Sequence, residues 1–236
     1  MKKSTLVFSM LLISVFAVSI SHNCNAIECE GYDHEDEYEE EVWDPLEPIN
    51  QVTFRFNDFV YDKVMNPVSD AYVFIMPDPI RTGISNLMRN ITAPKRFVGA
   101  VMQLKHQVAV TELGKFVINS TFGIAGMFNV AKIEMNDEED IGQGFAYWGI
   151  SDGPYIVWPF LGPSNLRDSV GMVGEFFLYP VSYAGNPVQI TVRSSDTINE
   201  WPAISDGYNA VTKDAMDSYV ALKDAYKQHR NKKIRD

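Results

Sequence analysis

The chain has 236 residues, 46% of them hydrophobic and 22% charged, which is enough for one substantial folded domain and too apolar for a chain disordered throughout. The formal net charge is −11, yet residues 28–47 (ECEGYDHEDEYEEEVWDPLE) hold eleven Asp or Glu and no Lys or Arg, so the rest of the chain is nearly neutral. A body without a basic stripe excludes a nucleic-acid binder of the usual electrostatic kind.

Lys2 and Lys3 lead into the apolar run LVFSMLLISVFAVSI (6–20), too short and too poorly flanked for a membrane span. Cys24-Asn25-Ala26 then offers small residues where a signal peptidase reads. Residues 1–26 are expected to be an export signal, with an uncleaved anchor as the alternative, and residues 27–43 an acidic, solvated leader. Removal of the signal would leave Cys29 as the one cysteine, so no internal disulfide is expected. Neither Cys24 nor Cys29 follows the apolar-then-small motif of a lipid-anchor site. The folded domain is expected over 44–236, where no stretch reaches the roughly 18 uninterrupted apolar residues of a spanning helix. Membrane contact would then come from amphipathic surface.

From Asp44 onward apolar residues recur at helical rather than strand spacing. Ile49, Val52, Phe56, Phe59 or Val60, and Val64 make an aromatic-rich stripe after Pro48. Asp78-Pro79 reads as a helix start, with the Asp as cap, followed by Ile80, Ile84, Leu87, Met88 and Ile91 on one face and stopped by Pro94. A helix from about Arg96 carries Phe97, Val101, Leu104 and Val108, and another runs through Leu113, Phe116, Val117 and Ser120 toward TFGIAGMFNVA (121–131). The closing DAMDSYVALKDAYKQHRNKKI places Tyr219, Leu222 and Tyr226 on one stripe and ends basic. The expected class is mainly α with few or no short strands, PVQITVR (187–193) being the one good β candidate.

Residues 153–168, GPYIVWPFLGPSNLRD, set a strongly apolar run between two Gly-Pro pairs. Pro159 forbids a regular helix or central strand across it, so the segment should be extended and bent. Catalytic constellations are scarce. His106 is the one His in the body and reads as a surface or capping residue, and Cys and His are too few for a metal site. Asp137, Glu138, Glu139 and Asp140 read as a solvated loop. Asp152 and Asp168 flank the apolar run and could act as an acid and base pair, which keeps a periplasmic hydrolase as one alternative; a surface-interaction protein displaying the acidic leader is another. No nucleophile elbow, phosphate loop or dinucleotide fingerprint is present, so no enzyme activity and no cofactor are expected.

Several blocks in order resemble the MlaA (VacJ) family of bacterial outer-membrane proteins. Asp44-Pro45-Leu46-Glu47-Pro48-Ile49-Asn50 with Phe54-Arg55-Phe56-Asn57 is similar to its opening signature. Asn119-Ser120-Thr121-Phe122-Gly123 with Gly126 and Ala131 resembles the middle block. Gly142-Gln143 to Trp148-Gly149, Gly153-Pro154-Tyr155, Pro159, Gly162-Pro163-Ser164 and Arg167-Asp168 resemble the longest block, and Ser218-Tyr219 to Arg230 the end. The resemblance covers about Asp44 to Ile234, and Gln51 stands where the family commonly has Arg.

The resemblance implies a ring-like bundle of amphipathic helices around a central channel, seated in the inner leaflet of the outer membrane and facing the periplasm. It implies removal of misplaced phospholipids and their transfer to a periplasmic lipid carrier, beside an outer-membrane porin trimer, with no nucleic acid, metal or covalent chemistry. Tyr155, Trp158, Pro159, Asn165, Arg167 and Asp168 are expected at the channel or its rim, with Arg167 paired to Asp168 or Asp152. Asp44, Pro45, Asn50, Phe56, Asn57, Asn119, Gly123, Gly153, Pro154 and Gly162 are expected to be structural. Phe54, Phe56, Phe59, Trp148, Tyr155 and Trp158 together suit an interface, since their rings combine apolar area with polar edges, although any single one taken alone reads as a core residue.

Overall fold

The computed structural model describes residues 42–133 and 138–235. The expected export signal, both cysteines, Asp137 and all but the last two residues of the expected leader lie outside the described residues. Those last two are tied to the domain. Val42 packs against the core around Tyr155, and the Trp43 carbonyl accepts the Tyr155 N–H at 3.1 Å.

The first helix, α1 (Glu47–Val60), begins with Pro48 in its first turn, where a missing N–H leaves nothing unpaired. Its aromatic-rich stripe faces outward: Ile49, Val52, Phe56 and Phe59 are exposed, Val52 by 67%. The opposite face turns Asn50 and Asn57 inward, two turns apart. A π turn (Tyr61–Met65) leads into α2 (Asn66–Ile75), and Tyr61 packs edge-on to Trp201 and Tyr208. Helix α3 spans Asp78–Ile91, but the Asp78 side chain makes no cap and instead reaches Arg81 at 3.2 Å.

The helix expected from Arg96 through Val108 is two helices, α4 (Ala93–Met102) and α5 (His106–Phe122). Leu104 has φ +58, and the Leu104 and Lys105 N–H groups return to the carbonyls of Val101 and Ala100. This is a Schellman closure with leucine in the left-handed position usually given to glycine. Helix α6 (Ile141–Tyr147) opens with a capping box. Asp140 Oδ1 accepts from Gln143 N–H, and the Gln143 side chain accepts from Asp140 N–H, each at 2.7 Å.

The two strands, β1 (Tyr155–Trp158) and β2 (Gly162–Asn165), form an antiparallel hairpin in which Tyr155 faces Asn165 and Trp158 faces Gly162. Pro159 opens the hairpin loop, where no ladder N–H is required. Helix α7 (Leu166–Leu178) follows at once, capped by the Asn165 side chain on Asp168 N–H. After a 3₁₀ turn (Pro180–Tyr183) come α8 (Asn186–Thr212) and α9 (Ser218–Arg235). The expected β segment 187–193 is therefore the first part of α8. Pro187 starts the helix, and its β-branched side chains Val188 and Ile190 point outward, so tertiary setting overrides strand propensity.

The helices close a circuit: α3 packs on α4, α4 on α7, α7 on the 3₁₀ turn, that turn on α8, and α8 returns onto α3. Among the described residues, buried polar and charged side chains outnumber buried hydrophobic ones, while many large apolar side chains are exposed. No helix among the described residues is long and apolar enough to cross a membrane.

Candidate functional site

Three arrangements carry the chemistry. The first holds the hairpin. Asn50 donates to the Tyr155 carbonyl at 3.0 Å and accepts the Val157 N–H at 2.9 Å; Asn57 does the same for the Trp158 carbonyl at 2.9 Å and the Phe160 N–H at 2.7 Å. One face of α1 thus presents two carboxamides to β1, each supplying both a donor and an acceptor. They pin the loop, where Phe160 has φ +66, an uncommon backbone for a bulky residue. Asp44 locks Asn50 from behind at 2.7 Å and accepts the Tyr219 hydroxyl, joining α1 to α9.

The second is a charge node where α6, α7 and α9 meet. Arg230 grips Asp140 through both terminal nitrogens, at 2.5 and 2.7 Å, and Asp168 at 2.8 Å. Arg167 bridges Asp152 at 2.5 Å and Asp168 at 3.2 Å, and Lys227 closes on Asp152 at 2.8 Å. Burial alone would raise the Asp140 carboxyl, but the hydrogen bonds and charge of Arg230 overcome it and hold the group below its usual range. Asp152 is held low in the same way by Lys227 and Arg167 against its partial burial. Burial and the Asp168 carboxylate push the Tyr226 hydroxyl, which donates to Asp168 at 2.8 Å, well up. Gly142 makes the node sterically feasible: a Cβ there would stand 2.5 Å from both Arg230 Nη2 and Asp168 Oδ1.

The third is a cavity of about 720 Å³ inside the helix circuit, walled by α3, α4, α5, α8 and residues 129, 133 and 138. Its cations are already matched: Arg96 pairs with Glu112 at 3.0 Å, Arg89 with Glu138 at 3.4 Å and Lys95 with Glu175 at 3.3 Å. Asn86, Asn90, Asn119, Asn129 and Thr92 add neutral polar groups. Asp196 and Glu200, one turn apart on α8, make no ion pair among the described residues. Burial first, and mutual and Glu138 repulsion next, raise the Glu200 carboxyl, and burial likewise raises Asp196.

The residues expected at the channel divide. Tyr155 is 1% exposed and belongs to the core with Val157 and Tyr219, and Asn165 and Arg167 are buried in capping and ion pairing. None of these three lines the 720 Å³ cavity. Asp168 borders a separate cavity of about 270 Å³ that shares Lys95 and Glu138 with the larger one. Trp158 and Pro159 are exposed at the hairpin tip, with the Trp158 indole N–H on Ser169 at 2.9 Å. Of the expected interface aromatics, Phe54 and Tyr155 turn inward, while Phe56, Phe59, Trp148 and Trp158 remain exposed. Asp152 and Asp168 are both engaged by Arg167.

Among the expected structural positions, Asn119 accepts the Ala131 N–H at 3.0 Å, and a Cβ on Gly123 would strike the Phe128 carbonyl oxygen. Gly153 and Gly162 have φ +69 and +81, Pro154 accepts the Leu166 N–H, and Pro45 lies in the turn before α1. Phe56 packs edge-on to Phe160 at 5.2 Å. Over its described part the acidic run is a solvated loop at Glu138, which is exposed, and not beyond it. Glu139 is buried on Gln103 and Lys105, and Asp140 caps α6. The Asp140-x-x-Gln143 spacing was the available signal for that cap. Arg230 and the Arg96–Glu112 pair have no comparable signature.

Apolar outer faces, a polar interior cavity and a circuit of helices define a class: a helical protein built in the reverse sense to a water-soluble bundle. The chain belongs to the MlaA lipoprotein family, whose model matches residues 42–233. It is 27% identical to the intermembrane phospholipid transport system lipoprotein MlaA of Escherichia coli K12, over 78% of this chain and 76% of that one. It is 29% identical to an uncharacterized protein of Rickettsia felis, over 82% and 79%. A solved structure described as the structural basis for maintenance of bacterial outer membrane lipid asymmetry matches with a TM-score of 0.72 at 25% identity, over 81% of this chain and 98% of that one.

Proposed function

We propose that this protein is the outer-membrane component of intermembrane phospholipid transport, removing misplaced phospholipids from the outer leaflet and handing them to a periplasmic carrier. The observation that carries the reading is the 720 Å³ polar cavity inside a helix circuit whose outer faces are apolar, in a chain of the MlaA family. A phospholipid needs polar surroundings for its head group and apolar ones for its tails. The cavity offers paired and unpaired charges and carboxamides to the first, and the exposed stripe of α1 and the hairpin tip offer the second. Trp158, Pro159 and Phe160 form an apolar tip held by Asn50, Asn57 and the charge node, which suits a rim at the lipid surface. Seating is at the periplasmic face, with an outer-membrane porin trimer beside the ring; the exposed apolar stripes are the surfaces available for lipid and porin. No covalent step belongs to this reading.

Deleting the gene and labelling surface-exposed phospholipid tests it. Accumulation in the outer leaflet and raised detergent sensitivity are expected; unchanged values for both would overturn it. Many apolar side chains on amphipathic helices hold a protein in an interface better than one acyl chain does. Replacing Cys29 with Ser should therefore leave the protein with the membrane fraction after a high-salt wash.

A further inference from the structure

A second cavity, of about 230 Å³, lies between α1, the hairpin, α8 and α9. Phe54, Val157, Leu161, Pro163, Ile204 and Leu222 supply its apolar walls, and Gly207 completes the side formed by α8. The polar side chains that border it are engaged elsewhere. Both amide atoms of Asn57 hold the hairpin backbone, the Tyr61 hydroxyl donates to the Phe160 carbonyl, and the Tyr208 hydroxyl donates to Asp58. Apolar cavities of about 150 Å³ stay dry and take up benzene-sized molecules, so a slot of this lining and size suits an apolar ligand.

Gly207 marks the slot as space kept open. It lies inside a 27-residue helix, where glycine is the poorest helix former after proline. A Cβ at this position would meet no atom within 4 Å, so no neighbour requires glycine here. What its missing side chain leaves is room on the slot wall. Leu161, 72% exposed, and Ile204, 46% exposed, line the slot, and Phe160, beside Leu161 on the hairpin loop, packs edge-on to Phe56. The slot is thus continuous with the apolar surface that, in the proposed function, meets lipid.

We propose that this slot holds a length of phospholipid acyl chain from the surrounding leaflet, docked against the hairpin and apart from the polar cavity. The inference rests on the membrane seating in the proposed function. An acyl chain fits because it is linear, wholly apolar and concentrated at the mouth. A peptide would bring backbone groups that these walls leave unpaired. A tail lodged under Leu161 would tie the hairpin tip to the leaflet while head groups use the other chamber.

The test uses the full chain in phosphatidylethanolamine and phosphatidylglycerol vesicles containing a phosphatidylcholine with a diazirine at the end of one acyl chain. After irradiation, adducts are mapped by mass spectrometry. Adducts on half-buried Phe54 and Leu222 are expected, falling at least tenfold in Gly207→Phe and in Leu161→Glu. Adducts on the exposed Ile49 and Val52 should be unchanged in both variants. Both substitutions stand at exposed positions, and helical circular dichroism verifies the fold. Adducts on Ile49 and Val52 without any on Phe54 or Leu222 would overturn the slot and leave membrane seating intact. Slot adducts undiminished in both folded variants would overturn it too. Slot adducts in a protein whose deletion leaves surface phospholipid unchanged would uphold the slot and overturn the transport reading.

Discussion

The charge node and the polar cavity are both built from carboxylates and cations of one helical domain, but they are wired in opposite ways. In the node, Asp140, Asp152 and Asp168 each meet a cation at 3.2 Å or less, and Asp140 and Asp152 are held below their usual range. Along the cavity, Asp196 and Glu200 meet none among the described residues, and both are raised. The difference separates holding from handling. An ion-paired network holds α6, α7 and α9 together, whereas two carboxylates beside 720 Å³ of space have no cation to hold them among the described residues.

The largest effect should come from breaking the node. Arg230→Met leaves Asp140 and Asp168 without their shared cation, and removing one partner of a buried pair costs about 3–5 kcal/mol. Unfolding in detergent should show that loss, and Arg230→Lys should recover part of it. Gly142→Ala pushes a methyl group into the same node and should destabilise by about 1–3 kcal/mol, the usual cost of overpacking. Asn50→Ala strands a buried N–H and carbonyl on β1 and should cost about 1–3 kcal/mol in the same measurement, with hydrogen exchange rising at Tyr155 to Phe160.

At the cavity the sign should reverse. Asp196→Asn with Glu200→Gln removes mutual repulsion and should leave stability unchanged or raised by up to about 1 kcal/mol. The pH dependence sharpens the contrast. Raised carboxyls take up protons more readily folded than unfolded, so stability should rise gently as pH falls from neutral toward the unfolded values of 3.8 and 4.5. Lowered carboxyls contribute fully above 3.8, and that contribution is lost as pH falls through their folded values. A melting series should therefore rise slightly and then drop, and the Asn/Gln double variant should lose the rise and keep the drop.

The contrast also explains what the sequence revealed. Helical periodicity located α1, α3, α5 and α9, because an amphipathic stripe repeats every turn. It was silent on which way the stripe faces: the α1 stripe points outward, and the buried face is Asn50 and Asn57. Pro159 and the Gly-Pro pairs gave the bent, extended element at the hairpin. The expected Arg167 pairing was legible from neighbouring acids, but Arg230 meets Asp140 and Asp168 across 90 and 62 residues, a contact made only by the packing of α9. Leu104 hid the α4–α5 break because leucine gives no left-handed signal, and the β-branched run at 187–193 hid the start of α8. Cavity walls drawn from four helices and a loop have no local signature.

The most direct test of the account fills the cavity and leaves the node alone. Asn129→Trp with Ile133→Trp places two indoles on exposed positions of the cavity wall. With protein level and melting temperature unchanged, cells carrying this variant should accumulate surface-labelled phospholipid as the gene deletion does. Clearance of surface phospholipid at the wild-type level by the filled variant would contradict the assignment of this cavity as the lipid path.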